Sequence, residues 1–187
     1  MDDIRYDLYR VSGRTDTKAL LKYVFKDRVF RKLFYYRLYL KSGKVNQYVV
    51  RVLNHHLSNK LTIDLPFTAQ IGKGFQILHP YAVVINSQAL IGDNCTIMKG
   101  ATIGNSKTGK IGAPTIGDNV YIGLNSSIVG GVKVGNNVLI AANTFVNFDV
   151  PDDSVVIGSP GIIHHKEKAS KPYLSNSILE IKWSVEK

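Results

Sequence analysis

Aliphatic side chains recur every six residues through the middle of this chain. Leu65, Ile71 and Ile77 form one run and Ile85, Ile91, Ile97 and Ile103 a second; Ile116, Ile122, Ile128, Val134, Ile140 and Val146 form a third. A small residue often follows directly, as at Gly72, Gly92, Gly104, Gly117, Gly123, Gly135 and Ala141. A period of six fits neither the 3.6-residue helix nor a simple hairpin array. It predicts a solenoid in which each hexapeptide supplies one short strand and one corner. Gly92-Asp93-Asn94, Gly117-Asp118-Asn119 and Gly135-Asn136-Asn137 read as such corners, since these residue types tolerate the backbone angles of a sharp turn. Stacked coils bury a continuous aliphatic column and pair each strand with the coil above and below. A β-sandwich fits poorly, because its strands are longer and spaced about 8–12 residues apart.

The breaks in the period are informative. Eight positions separate Ile77 from Ile85, so two residues bulge outward around Leu78-His79-Pro80-Tyr81. Thirteen separate Ile103 from Ile116, so the segment from Asn105 to Pro114 leaves the solenoid as a loop. Insertions in a repeat fold are where function collects.

Residues 16–57 carry a helical period instead. Leu20, Leu21, Val24, Phe25 and Arg28 share a face, as do Phe30, Leu33, Phe34, Arg37 and Leu38, and later Val49, Val52 and Leu53. Ser42-Gly43 is the expected break. The chain thus divides into a helical segment (1–60), a solenoid (61–163) and a tail (164–187). Residues 171–187 of that tail read equally as a short helix or as a strand laid on a neighbour.

Charge separates these regions further. The 187 residues carry 24 Lys+Arg against 14 Asp+Glu, a net charge of +10. Residues 1–60 hold 14 of the basic and 5 of the acidic residues, so the solenoid is nearly neutral. Aromatics and bases interleave over residues 28–44. Three roles stay open for this segment: a cap packed on the solenoid or on neighbouring subunits, a surface resting on anionic lipid, or a nucleic-acid contact. The enzyme motifs below set nucleic acid aside. At 44% hydrophobic and 20% charged, the chain buries a real core. One cysteine, Cys95, excludes an internal disulfide and a Cys-rich metal site, and its apolar surroundings mark it as a small buried residue. The N-terminus has acids and no apolar run, so it is not a signal peptide. No stretch is apolar enough to span a bilayer. The expected location is cytoplasmic, with peripheral contact at the inner face of the cell membrane as the option.

The segments IDLPFTAQIGKGFQILHPYAVVINSQALIGDNCTIMKGATIGNS and PTIGDNVYIGLNSSIVGGVKVGNNVLIAANTFV, with the closing VIGSPGII, resemble the hexapeptide-repeat acyltransferases, in particular their serine acetyltransferase branch. The resemblance covers residues 60–163. It implies a mainly β fold, a left-handed parallel β-helix of three hexapeptides per coil with an N-terminal α-helical segment, assembled as a homotrimer. It implies acetyl-CoA as co-substrate and a His–Asp pair as the chemical centre, at His79 and Asp64 here. A separation of fifteen residues places two side chains on adjacent layers of nearly the same edge, about 4.8 Å apart. Neutral His79 would take the acceptor's hydroxyl proton, and Asp64 would fix the imidazole tautomer. A backbone N–H of a solenoid edge or Gly-rich corner would hold the oxyanion.

By position, Gly123, Leu124, Ala141 and Ala142 are expected to line the pantetheine groove, with Asn105 and Ser106 against its upper part. His165, Lys166 and Lys168 are offered to the phosphates. Some hexapeptide proteins bind zinc through three histidines; the solenoid here has only His79, so no metal is expected.

The acceptor side departs from the serine enzymes. They carry an Asp before the catalytic His and an Arg-His pair before the loop Pro; the matching positions here are Leu78, Gly112 and Ala113. A zwitterion loses its charged anchors, which is costly in a closed site. Leu78, Tyr81 and Ala113 are therefore expected to face a neutral polyol. The leading expectation is O-acetylation of a free or lipid-linked sugar in capsule, exopolysaccharide or O-antigen synthesis, with serine as the alternative acceptor. A non-catalytic solenoid scaffold and a membrane-peripheral module are the alternatives of another class.

Overall fold

The computed structural model describes residues 3–58 and 62–181. Among these, four helices precede fifteen strands. The first coil holds β1 (Ile63–Asp64), β2 (Gln70–Ile71) and β3 (Gln76–Leu78), and the second β4 (Val83–Ile85), β5 (Leu90–Ile91) and β6 (Thr96–Met98). The third holds β7 (Thr102–Gly104), β8 (Thr115–Ile116) and β9 (Tyr121–Ile122), and the fourth β10 (Ser127–Val129), β11 (Lys133–Val134) and β12 (Leu139–Ile140). The fifth has β13 (Phe145–Val146), a single bridge from Val150 to Val134, and β14 (Ser154–Ile157). A last strand, β15 (Ile162–His165), turns back antiparallel on β14.

Strands of successive coils pair in parallel. β1, β4, β7, β10 and β13 make the first face, β2, β5, β8 and β11 the second, and β3, β6, β9, β12 and β14 the third. This is the left-handed parallel β-helix that the resemblance implied. Edge I joins the first face to the second, edge II the second to the third, and edge III the third to the first.

All thirteen repeat positions are buried, none more than 8% exposed. A second inward column, two residues earlier in each strand, escaped the six-residue reading. It includes Val83, Ala89, Cys95, Ala101, Val120 and Val138. Alternation by two within a strand turns both columns inward. Burial pushes the Cys95 thiol up to about 12, so this cysteine is inert packing. The corners of edge II sit where the sequence put them, and the left-handed residue in each is the asparagine: Asn94 (φ 59), Asn119 (φ 56) and Asn137 (φ 57). Side chains tie those corners together. Asp93 N–H donates to Asp118 Oδ1 at 2.7 Å, Asp118 N–H to Asn136 Oδ1 at 2.8 Å, and Asn136 N–H to Asp152 Oδ1 at 2.7 Å.

The helices are α1 (Asp3–Ser12), α2 (Thr17–Lys26), α3 (Arg28–Lys41) and α4 (Lys44–Ser58). The Ser42-Gly43 break is observed; α1 lies ahead of the helical region read from sequence. Asp16 caps α2 by accepting from Ala19 N–H at 3.0 Å. Asp27 is the joint between α2 and α3. Its own N–H closes α2 on Tyr23 O, and its carboxylate accepts from Val29 and Phe30 N–H.

Helix α3 closes the open end of the solenoid. In the second coil Ala89 O and Ile91 O accept from Gln70 and Gly72 N–H of the coil before; the matching carbonyls of the first coil, Ala69 O and Ile71 O, have no earlier coil to serve. Tyr36 Oη donates to Ala69 O at 2.7 Å, and Arg37 donates to Ile71 O at 2.6 Å and Gly72 O at 2.5 Å. Asp7 on α1 holds that arginine through Nε at 2.8 Å and Nη2 at 3.1 Å, and accepts from Phe75 N–H at 2.9 Å. Leu33 and Tyr36 belong to the solenoid's own core.

The expected helical faces are only partly covered. Phe30 and Leu33 are buried, whereas Leu21, Phe25, Leu38, Val49, Val52 and Leu53 are exposed. The tail after β15 is neither a regular helix nor a strand. It returns along edge II in two short 3-10 turns, Lys171–Tyr173 and Ile178–Glu180. Ser170 Oγ donates to Asn119 O, Asn94 Nδ2 donates to Ser177 Oγ, and Arg10 Nη1 donates to Ser175 O. Residues 182–187 lie outside the described residues. No described helix is long and apolar enough to cross a membrane.

Candidate active site

The bulge after β3 forms as expected. An ordinary edge III corner, such as that after β6, turns in Lys99-Gly100-Ala101; here His79, Pro80, Tyr81 and Ala82 make the turn. His79 (φ 52) and Ala82 (φ 53) both occupy the left-handed region, which disfavours side chains. The neighbouring layers pin the bulge. Gly100 N–H donates to Tyr81 O at 2.8 Å, and Ala82 N–H to Thr62 Oγ1 at 3.0 Å. His79 and Tyr81 are exposed and Leu78 is half-buried. An imidazole carried on this turn is presented outward, with the backbone under it fixed.

Asp64 ends β1, in register with Val84, the second residue of the strand that leaves the bulge. It is exposed. No hydrogen bond joins it to His79 in this single chain. Lys32 on α3 shares its surroundings. Burial pushes the Lys32 ammonium below the usual lysine range, and the negative charge of Asp64 works against that shift. Helix α3 therefore brings a lysine near this carboxylate, which the repeat pattern gave no means of seeing.

Gly123 and Leu124 follow β9, and Ala141 and Ala142 follow β12. Both corners lie on edge III, below the His79 bulge. The glycine has a packing reason of its own. A Cβ at Gly123 would stand 2.7 Å from the Ala141 carbonyl carbon and the Ala142 nitrogen, so the next coil alone demands glycine there.

The remaining expected residues lie elsewhere. Asn105, Ser106 and Ala113 sit on the loop at edge I, across the first face from His79. That loop is ordered: Ser106 and Gly112 exchange two backbone hydrogen bonds, Gly131 N–H donates to Lys110 O, and Lys110 pairs with Asp149 at 2.5 Å. Lys166 is at edge II, where its N–H donates to Asp153 O at 2.7 Å. The reversal of β15 on β14 carries His165 and Lys166 away from edge III, so they do not join the Gly123–Ala142 groove. Edge III thus carries His79, Tyr81, Gly123, Leu124, Ala141 and Ala142, with Leu78 ending the strand that leads into it; Asp64 lies on the first face beside Val84, and the loop residues lie at edge I.

Sequence reading also missed a cleft beside the bulge. It has a volume of ≈ 600 Å³ and is lined by Lys22, Tyr23, Lys26, Asp27, Arg28, Val29 and Pro80. The basic character of these residues was visible, but not that the first turn of α3 and Pro80 line one cleft.

The chain matches the family model described as bacterial transferase hexapeptide (six repeats) over residues 113–147. It is 37% identical to a serine acetyltransferase of Staphylococcus epidermidis over 160 residues, covering 83% of this chain and 72% of the relative. A serine acetyltransferase of Synechococcus elongatus is 38% identical over 122 residues, 63% of this chain and 49% of the relative. Among solved structures, the Neisseria gonorrhoeae serine acetyltransferase in complex with serine superposes with a TM-score of 0.66 at 29% identity, over 85% of this chain and 66% of that one. The chain thus spans about half to two thirds of the length of these two proteins. The relatives overturn the expectation of a sugar acceptor in polysaccharide synthesis, since they are serine acetyltransferases. The sugar expectation drew on the charges absent at Leu78, Gly112 and Ala113.

Proposed function

The chain belongs to the serine acetyltransferase family, and from that premise we propose that it transfers the acetyl group of acetyl-CoA to the hydroxyl of L-serine. What supports this reading is the His79 bulge on the same edge as the Gly123–Ala142 corners in a chain of this family, with Asp64 on the adjoining face.

The chemistry follows from the residues. Neutral His79 accepts the serine hydroxyl proton as the oxygen attacks the thioester carbonyl carbon. The tetrahedral intermediate then collapses, the C–S bond breaks, and the imidazolium returns its proton to the departing CoA sulfur. Asp64 stabilises the imidazolium and fixes which ring nitrogen faces the hydroxyl. Left-handed backbone at His79 suits this work, because strain at a fixed turn presents the base in one orientation.

The groove is shared between copies in this reading. Asn105, Ser106 and Ala113 lie on edge I and His79 on edge III, so only edge I of a second chain can complete the groove of the first. A homotrimer of three-faced prisms supplies that contact at all three grooves. The pantetheine arm runs past Gly123, Leu124, Ala141 and Ala142, with loop residues Asn105 and Ser106 of the neighbour opposite. Tyr81 and Leu78 flank the acceptor. No comparison supports the membrane contact considered for the basic segment, and it forms no part of this reading.

The test is thiol release from acetyl-CoA with and without L-serine, the product being followed by mass. Serine-dependent release with formation of O-acetylserine is expected. Release that serine does not stimulate would sink the proposal.

A further inference from the structure

The negative end of an amino-acid acceptor finds no cation among Leu78, Gly112 and Ala113. The cleft beside Pro80 offers three. Lys22 and Lys26 come from the second half of α2 and Arg28 from the first turn of α3. All three are exposed, and none forms an ion pair or a side-chain hydrogen bond among the described residues. The single acid in the cleft, Asp27, is occupied as the cap of α3, where its Oδ1 accepts from two backbone N–H groups.

The position of these cations is fixed by packing. Val29 packs on the solenoid core, Leu33 and Tyr36 belong to it, and Arg37 is bonded to the first coil. Helix α3 therefore lies across the first coil with its N-terminal turn at Pro80, the residue after His79. One turn along, Lys32 responds to the charge of Asp64. The cleft thus holds two more cations than acids, and it meets the bulge at Pro80, the residue next to His79.

We propose that Lys22, Lys26 and Arg28 form the carboxylate anchor of the acceptor site, holding the anionic end of the amino acid while its hydroxyl meets His79. This rests on the serine reading and deepens it. The helical cap supplies the charge that the loop positions Gly112 and Ala113 lack. Exposed cations attract a carboxylate weakly one by one, so the effect is read from all three together.

The experiment compares wild type with Lys22→Gln/Lys26→Gln/Arg28→Gln on two acceptors, L-serine and L-serinamide, which has no carboxylate. The substitutions leave the Asp27 cap and the buried face of α3 intact, and an unchanged thermal midpoint checks this. The KM for L-serine should rise about tenfold with kcat within about twofold, equivalent to one lost carboxylate contact. The KM for L-serinamide should not move, and added salt should raise the wild-type KM for serine alone. An unchanged KM for serine, or an equal rise for both acceptors, overturns the anchor and leaves serine acetylation standing. If the wild type shows no turnover with serine, calorimetric titration with L-serine decides. Binding to wild type and not to the variant upholds the anchor while the transfer reading fails. Equal binding to both overturns the anchor, and binding to neither overturns both.

Discussion

The helical cap and the solenoid are stabilised by opposite means. In the solenoid every coil repeats the contacts of the last. Backbone N–H and C=O groups of adjacent coils pair in both directions, and two aliphatic columns fill the centre, so no single side chain decides the structure. The cap has a small core of Ile4, Leu8, Ala19 and Phe30 and leaves Phe25, Val45 and Tyr48 more than 70% exposed. It is joined to the first coil by a few buried polar contacts, above all the pair of Asp7 (0% exposed) and Arg37 (4%). Repetition distributes stability, whereas a seam concentrates it. The cap also carries nearly all the net charge, part of it in the cleft that Pro80 lines.

The sharpest way to break this contrast is at the seam. Asp7→Ala leaves a buried guanidinium without its anion and should cost about 3–5 kcal/mol in chemical denaturation. A loss below about 1 kcal/mol would show that the pair does not hold the cap. Ile103→Ala removes one member of a repeated column and should cost about 2–5 kcal/mol, depending on how far the neighbouring coils close on the cavity. A larger loss at Ile103 than at Asp7 would reverse the comparison. A smaller effect is expected where the two regions meet the site. Glycine accepts the left-handed turn at position 79 and alanine does not, so His79→Gly should be more stable than His79→Ala by about 1 kcal/mol. Equal stability of the two variants would mean that the bulge stores no strain.

The two regions also differed in how much the sequence disclosed. A strict period of six can be satisfied only by stacked coils, so the solenoid, its breaks at His79 and at the Asn105–Pro114 loop, and the turn asparagines were all legible. A helical period says that a face is apolar but not what it meets, which is why Phe25 and Val49 look like core residues and stand exposed. Helix α1 was passed over although Ile4, Leu8 and Val11 carry helical spacing, because its inner face also holds the charged Asp7 and Arg10. The place of Lys166 at edge II was hidden for a similar reason. No local pattern indicates that β15 reverses on β14 and leads the tail to edge II. The cationic cleft depends on α3 crossing the first coil, a contact between residues some fifty positions apart that motif comparison within the solenoid does not reach.

The most direct test of the central claim is kcat/KM for acetyl transfer from acetyl-CoA to L-serine, measured side by side on wild type and His79→Ala. Loss of a general base should lower it by about 10²–10⁴-fold, with the fold unchanged by circular dichroism. Equal turnover in the two proteins, or no serine-dependent turnover in the wild type, would contradict it.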